Sequence, residues 1–329
     1  MRLPPPSSPR HFIPKVSVPE AKGNSLQFPR VLPIGLSRLS TYAELTKPEL
    51  TGLSALTSVF AYVLAADSQA TWLTAAMVGS GTLLVGGGAG ALNQLIERRF
   101  DAMMKRTEHR PLPSGRVRAL ETGAFGVLLA LAGALLLWIE AGPLPSFISL
   151  LTLALYLGIY TPLKRKTWLN TVFGTIPGAL PVLIGWTAAE TTPSAGGWFL
   201  FLFLVIWQFP HFFSLAWMYR KDYERAGYHM LSVQDTENAH QTHRINLLST
   251  LSLLPVVSIF FYYESTGPMA IPAAVSLTLW LVSISAKPIV RGLANTSTTR
   301  TINADSRNLF FASLLYLPLV MILGLVSRA

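Results

Sequence analysis

From Pro48 onward the chain alternates between long apolar blocks and short polar connections. Nine blocks run roughly 17–25 residues, the length a helix needs to cross about 30 Å of hydrocarbon. They lie near 49–66, 72–95, 119–139, 145–161, 170–188, 197–218, 245–263, 268–286 and 308–327. None shows the two-residue alternation of an outer-membrane barrel strand, so the spanning elements are predicted to be helices, which satisfy their own backbone groups. The predicted fold class is all-α, a polytopic membrane helical bundle of nine transmembrane helices occupying residues 41–329.

Charge sorts the connections into two kinds. The second, fourth, sixth and eighth hold Lys105, Arg106, Arg110 and Arg116, then Lys164, Arg165 and Lys166, then Arg220, Lys221 and Arg225, then Lys287, Arg291, Arg300 and Arg307. The other four carry only Asp67, Glu140, Glu190 and Glu264. The positive-inside rule therefore puts the N-terminus and the basic loops in the cytoplasm or matrix, and an odd helix count puts the C-terminus on the opposite side. Among these loops, 102–118 and 220–244 have room for short helices or a lid, and function is sought there.

Composition agrees with a lipid bilayer as solvent: 51% of residues are hydrophobic and 13% charged, with a mean hydropathy of +0.43. The net charge of +10 would suggest nucleic acid in a soluble protein. Here the bases are confined to particular loops, which points to topology and anionic ligands and to no nucleic acid. Cysteine is absent, which excludes disulfides, thiolate metal sites and cysteine nucleophiles. Residues 1–40 hold six Lys/Arg against one acid, Glu20, with many Pro and Ser, and read as a basic leader: a mitochondrial transit peptide or a flexible tail.

The second block ends in GGGAGALNQLIERRFDAMMKRTEHRPLPSG. Asn93, Glu97 and Asp101 recur every fourth residue and drift only about 80° across one helix face. An amide and two carboxylates one turn apart suit Mg²⁺, which keeps waters and shares substrate phosphate oxygens. Arg98, Arg99, Lys105, Arg106 and Arg110 are positioned to offset phosphate charge. The competing arrangement has Glu97 and Asp101 simply paired with Arg98, Lys105 and Arg106 on a solvated helix end. Gly86, Gly87, Gly88 and Gly90 read as close-packing residues.

The sixth block ends in IWQFPHFFSLAWMYRKDYERAGYHMLSV. Met218 and Asp222 each return to within about 20° of His211 on a helix, and Pro210 is expected to kink it. His211 is either a hydrogen-bonded core residue or a ligand. Asp222 is the stronger candidate, because Arg220 and Lys221 beside it repeat the acid-plus-base composition of the first ladder. Lys164 and Arg165, in YTPLKRKTWLN, either hold a diphosphate or serve topology. Trp207, Phe209 and Phe212 either line an apolar cavity or face lipid.

The segments NQLIERRFDAMMKRTEHRPLPSG, YTPLKRKTWLNTVFGTIPGALPVLIGW and WQFPHFFSLAWMYRKDYERAGYHML together resemble the UbiA superfamily of intramembrane prenyltransferases, above all its heme-modifying branch. That superfamily's first motif opens with an Asn-Asp pair followed by two further acids. In this chain Asn93 is kept, Gln94 replaces the first Asp, and Glu97 and Asp101 follow. The three acids of its second motif fall on His211, Met218 and Asp222, of which one is an acid.

The resemblance implies a UbiA-like bundle in which Mg²⁺ is held by Asn93, Glu97, Asp101 and Asp222, the catalytic set. It also implies substrate binding by Arg106, Arg110, Lys164, Arg165, His211, Arg220, Lys221 and Tyr223. The implied reaction is transfer of a farnesyl group from farnesyl diphosphate to the 2-vinyl group of protoheme IX, giving heme O, with heme A synthase or cytochrome oxidase assembly factors as implied partners. Within it, His211 touches heme through iron or a propionate, or completes the diphosphate site. An aromatic quinone-precursor prenyltransferase is the nearest alternative, and a membrane heme carrier or transporter the alternative of another class.

Overall fold

The computed structural model describes residues 34–235, 239–264 and 267–327. Its helices in chain order are α1 (Ile34–Leu45), α2 (Pro48–Ala66), α3 (Trp72–Asp101), α4 (Ala119–Ala141), α5 (Pro143–Leu155), α6 (Thr161–Leu163), α7 (Asn170–Ala189), α8 (Ala195–Met218), α9 (Arg220–Arg225), α10 (Leu231–Gln234), α11 (His240–Tyr263), α12 (Ala270–Leu293) and α13 (Thr299–Val326). A π-helical turn, Tyr156–Tyr160, joins α5 to α6 in one continuous rod. Among the described residues there is no strand, and nine helices are long and apolar enough to cross a membrane. The chain is a multi-pass helical membrane protein.

The helices exceed the apolar blocks mainly on the basic side. α3 runs on to Asp101, α11 starts at His240 and α13 at Thr299. Hydropathy marks where lipid ends, but a helix continues through polar residues until a cap or breaker stops it. α13 begins with such a cap: Thr298 and Thr301 bond reciprocally across its first turn. Pro177, Pro181, Pro210, Pro255, Pro288 and Pro318 all lie inside helices, as membrane helices tolerate.

The expected leader lies, for residues 1–33, outside the described residues, and α1 crosses the boundary drawn at residue 40. Of the two roomy loops, the described part of 220–244 holds the short helices α9 and α10 and the start of α11, whereas 102–118 folds as consecutive turns.

Packing follows residue size. α3 lies against α4, where a Cβ placed on Gly88 would stand 2.5 Å from the Gly126 carbonyl oxygen. Gly90 faces the Thr46 carbonyl, a Cβ there standing 3.0 Å away. Without a hydrophobic drive between helices in lipid, such close backbone approach supplies the dispersion contact. On the far side, α2, α7, α8, α11, α12 and α13 share a core of Phe60, Trp186, Phe203, Trp207, Phe260 and Tyr316. Polar side chains collect between the halves, at the ends of α3 and α8.

Candidate active site

α3 turns Asn93, Glu97 and Asp101 inward, and all three are buried. Each has a specific partner. Asn93 Oδ1 accepts from Lys47 Nζ at 2.6 Å, while its Nδ2 donates to Glu97 Oε2 at 3.1 Å and to Thr161 Oγ1 at 3.2 Å. The Glu97 carboxylate accepts from Lys164 Nζ at 2.9 and 3.1 Å and from the Tyr228 hydroxyl at 3.0 Å. Asp101 accepts from Arg110 Nη1 through both oxygens, at 2.8 and 2.9 Å. The helix-end pairing with Arg98, Lys105 and Arg106 does not occur. Arg98 and Arg99 are exposed, and the true partners come from distant turns.

Local structure explains how those partners arrive. The π-helical turn brings Thr161 and Lys164 to face α3, with the Lys164 ammonium 4.6 Å from the centre of the Tyr160 ring. Lys47 lies between α1 and α2 in left-handed backbone, φ 51°, a conformation that costs a residue with a side chain roughly 1 kcal/mol or more. A lysine is found there because its side chain reaches Asn93. The 102–118 loop doubles back on Asp101, whose carbonyl accepts from Thr107 Oγ1 at 2.8 Å, and this returns Arg110 to the carboxylate.

The electrostatics follow from burial among like and unlike charges. Burial, with Arg110 and Lys164 nearby, lowers the Lys47 pKa to about 7. Burial also opposes the charge of Lys164, but Glu97 and the surrounding tyrosines hold its ammonium well above the ordinary range. Burial and the neighbouring carboxylate push the Tyr228 hydroxyl up, so it stays a donor. Three basic groups thus share one enclosed space with two carboxylates, and an arriving anion finds positive charge already desolvated.

The second segment meets this cluster from the side. Asp222 accepts from the Lys105 backbone N–H at 3.3 Å and from Arg225 Nη1 at 3.2 Å. Arg106 Nη2 donates to the Tyr223 hydroxyl at 3.0 Å, its guanidinium lying 4.7 Å from the Tyr219 ring and 5.0 Å from the Tyr223 ring. Tyr228 is a further bridge between the two segments, through Glu97 and through ring contact with Phe100. The remaining predicted residues separate. Arg165 is exposed, lying over Phe100 at 4.6 Å. Lys221 is also exposed. Met218, Arg220, Lys221 and Asp222 border a cavity of roughly 580 Å³. His211 sits higher on α8, packed between helices with Trp207, while Phe209 and Phe212 are half-buried.

Asn93, Glu97, Asp101 and Asp222 do not form one cage: among the described residues, no three acidic or imidazole groups converge on a point. Their chemistry nonetheless fits Mg²⁺, which is bound through one or two carboxylates plus substrate phosphates and retained waters. Hard oxygens one turn apart on α3 supply the carboxylates, and Lys47, Arg110 and Lys164 supply a place for the phosphates. Gln94, in the position of the missing first acid, turns away and donates to the Glu44 and Leu45 carbonyls at 3.2 and 3.1 Å. It fastens the end of α1 and leaves the ladder one oxygen group short.

Lys47, Thr161 and Tyr228 were not singled out by sequence. Lys47, just before the first span, and Tyr228, one aromatic among many, belong to no pattern that sets them apart in the sequence. The left-handed turn and the hydrogen bond to Glu97 exist only in three dimensions.

A sequence model of the UbiA prenyltransferase family matches residues 54–313. The chain is 38% identical over 298 residues to the protoheme IX farnesyltransferase of Solibacter usitatus (strain Ellin6076), covering 87% of this chain and 98% of that protein. It is 35% identical over 289 residues to the mitochondrial protoheme IX farnesyltransferase of Homo sapiens, covering 87% of this chain and 62% of that one. A solved structure of a UbiA homolog from Archaeoglobus fulgidus bound to GPP and Mg²⁺ superimposes with a TM-score of 0.60 at 12% identity, covering 87% and 99% of the two chains.

Proposed function

The chain belongs to the UbiA prenyltransferase family, and from that premise we propose that it transfers a farnesyl group from farnesyl diphosphate to the 2-vinyl group of protoheme IX, forming heme O. The observation that carries this reading is the enclosed cluster of Lys47, Arg110 and Lys164 around the α3 acids. It is built to receive a polyanion at the membrane edge, in a chain whose relatives are named for protoheme IX and farnesyl.

Farnesyl diphosphate enters with its diphosphate among Lys47, Arg110, Lys164 and Arg106 and its hydrocarbon tail between the helices. Lys164 and Arg110 would exchange their carboxylate partners for phosphate oxygens, leaving Glu97 and Asp101, with Asn93 and Asp222, as the residues that would hold Mg²⁺. Bound there, Mg²⁺ supplies charge stabilisation for the departing diphosphate. Lys164, already buried, and Arg110, partly buried, stabilise the charge that grows on the leaving oxygen as the allylic C1–O bond breaks and its electron pair leaves with diphosphate. The vinyl carbon of the porphyrin attacks C1. Water adds to the cation left beside the macrocycle and loses a proton, giving the hydroxyethylfarnesyl group. The apolar walls of α8, Trp207 among them, keep water from the allylic carbon before that attack.

The human relative's mitochondrial designation and the basic leader support a mitochondrial inner membrane location, with the site facing the matrix; a bacterial plasma membrane is the alternative. Heme A synthase or cytochrome oxidase assembly factors are the partners this product would meet. The test is incubation of the full chain, purified in detergent, with protoheme, farnesyl diphosphate and Mg²⁺, followed by mass analysis of the extracted heme. Farnesylated, hydrated heme is expected. Unmodified heme despite binding would overturn the reading in favour of a carrier.

A further inference from the structure

α8 and α13 pack side by side, and the seam between them holds a histidine that the diphosphate chemistry does not use. His211 Nδ1 lies 3.0 Å from Ser313 Oγ. The same hydroxyl donates to the Phe310 carbonyl at 2.7 Å, as helical serines commonly do. A hydroxyl has one hydrogen, so toward His211 the Ser313 oxygen must accept. The imidazole proton therefore sits on Nδ1, and Nε2 presents a lone pair.

That lone pair has no hydrogen-bond partner among the described residues. The ring is held all the same, stacked with Trp207 at 5.1 Å and with Phe310 at 4.7 Å. Trp207 is itself fixed by donating to the Ser313 carbonyl at 2.9 Å. His243 also has a bare Nε2, but that atom is sealed inside the protein, whereas His211 keeps 9% of its surface open. A neutral imidazole whose other nitrogen donates to a fixed acceptor, and whose plane is clamped, is what a metal-ligating histidine requires.

At the basic-side end of the same seam, the cavity of roughly 580 Å³ is walled by Lys105, Arg220 and Arg225 from one side and by Asn303 and Arg307 of α13 from the other. Asn303 Oδ1 accepts from Arg220 Nη1 at 2.9 Å, and the Arg220 guanidinium stacks over Trp217 at 4.5 Å. Arg307 has no carboxylate partner among the described residues, and Asp222, the one acid in the lining, already accepts from Arg225. Positive charge is in excess. From Ser313 back to Arg307 is about 9 Å along α13, a span on the scale of a porphyrin from its centre to its carboxylate edge.

We propose that this seam is the acceptor subsite: His211 ligates the iron of the porphyrin through Nε2, while Arg220 and Arg307 receive its two carboxylates. The assignment rests on protoheme being the acceptor. It separates the two substrates in space, the diphosphate among the α3 acids and the porphyrin along α8 and α13, with Met218 as an uncharged wall of the same cavity.

The test titrates ferric protoheme, and separately metal-free protoporphyrin IX, into the full chain in detergent, with absorption and electron paramagnetic resonance as readouts. In His211→Ala the nitrogen-ligand signature is lost and is restored by added imidazole, while protoporphyrin IX binds as before. In the Arg220→Ala/Arg307→Ala double variant both porphyrins bind more weakly by about tenfold or more, with the iron signature intact. A wild-type signature in His211→Ala overturns the iron assignment, and unchanged porphyrin affinity in the double variant overturns the carboxylate assignment. Diphosphate binding measured in the same variants controls for folding. A chain that shows the histidine signature yet makes no farnesylated heme keeps this subsite and loses the proposed reaction. Farnesylation together with an unaltered His211→Ala spectrum keeps the reaction and loses the iron ligand.

Discussion

The end of α3 and the seam between α8 and α13 are both polar regions inside an apolar bundle, yet they are finished differently. Around α3 every carboxylate oxygen pair is met by a base: Lys164 at Glu97 and Arg110 at Asp101. Along the α8–α13 seam His211 Nε2 and the Arg307 guanidinium stand without such partners among the described residues. Buried charge must be paired to persist, so the α3 region is balanced before any ligand comes and can exchange partners when an anion enters. The seam is electron-rich at one end and cationic at the other, which suits a ligand that brings a metal centre and carboxylates of its own.

The strongest challenge to this contrast is metal removal. Chelation of divalent ions should abolish farnesyl transfer, while protoheme affinity, measured by absorption titration, should stay within about twofold. Loss of both together would mean that the two regions form one site. Next come the acids. Glu97→Ala, Asp101→Ala and Asp222→Ala should each lower turnover by at least about a hundredfold, roughly 2.7 kcal/mol of transition-state stabilisation, in protein still recovered from the membrane. Normal turnover in Asp101→Ala would remove the α3 ladder from the mechanism.

A sharper comparison sets two adjacent bases against each other. Lys164→Met should raise the KM for farnesyl diphosphate by about tenfold or more, because it removes a desolvated charge, whereas Arg165→Ala, exposed over Phe100, should change it by less than about twofold. An unchanged KM in Lys164→Met would return that residue to a topological role. The smallest effect is expected at Tyr228→Phe. Because Glu97 keeps its two Lys164 contacts, losing the Tyr228 hydrogen bond costs about 1 kcal/mol, read as a fall in kcat of about fivefold with an intact fold. A silent variant would leave the two segments joined through Asp222 and Arg106 alone.

The number of spans and their order were legible in the sequence, because lipid imposes length and hydrophobicity on each helix separately. The ladder of Asn93, Glu97 and Asp101 was legible too, since helical periodicity alone puts residues four apart on one face. Gly88 and Gly90 were readable as packing residues for the same local reason. The pairing was not. Nearby bases such as Arg98 look like natural partners for Glu97, but they point outward from α3, and the acid is met instead by Lys164 and Tyr228, which are 67 and 131 residues away in the chain.

His211 shows the division most clearly. Sequence marks a histidine in an apolar helix and leaves core and ligand roles equally open. Its tautomer is set by Ser313, 102 residues away, and by the carbonyl that Ser313 in turn contacts. What the sequence by itself determined is each element's solvent, its length and the face it turns inward, since these depend on neighbours within a few turns. Which charge meets which, and which nitrogen keeps its lone pair, was decided by tertiary structure alone, because hydrogen bonds and ion pairs act over a few ångströms and only packing brings distant residues that close.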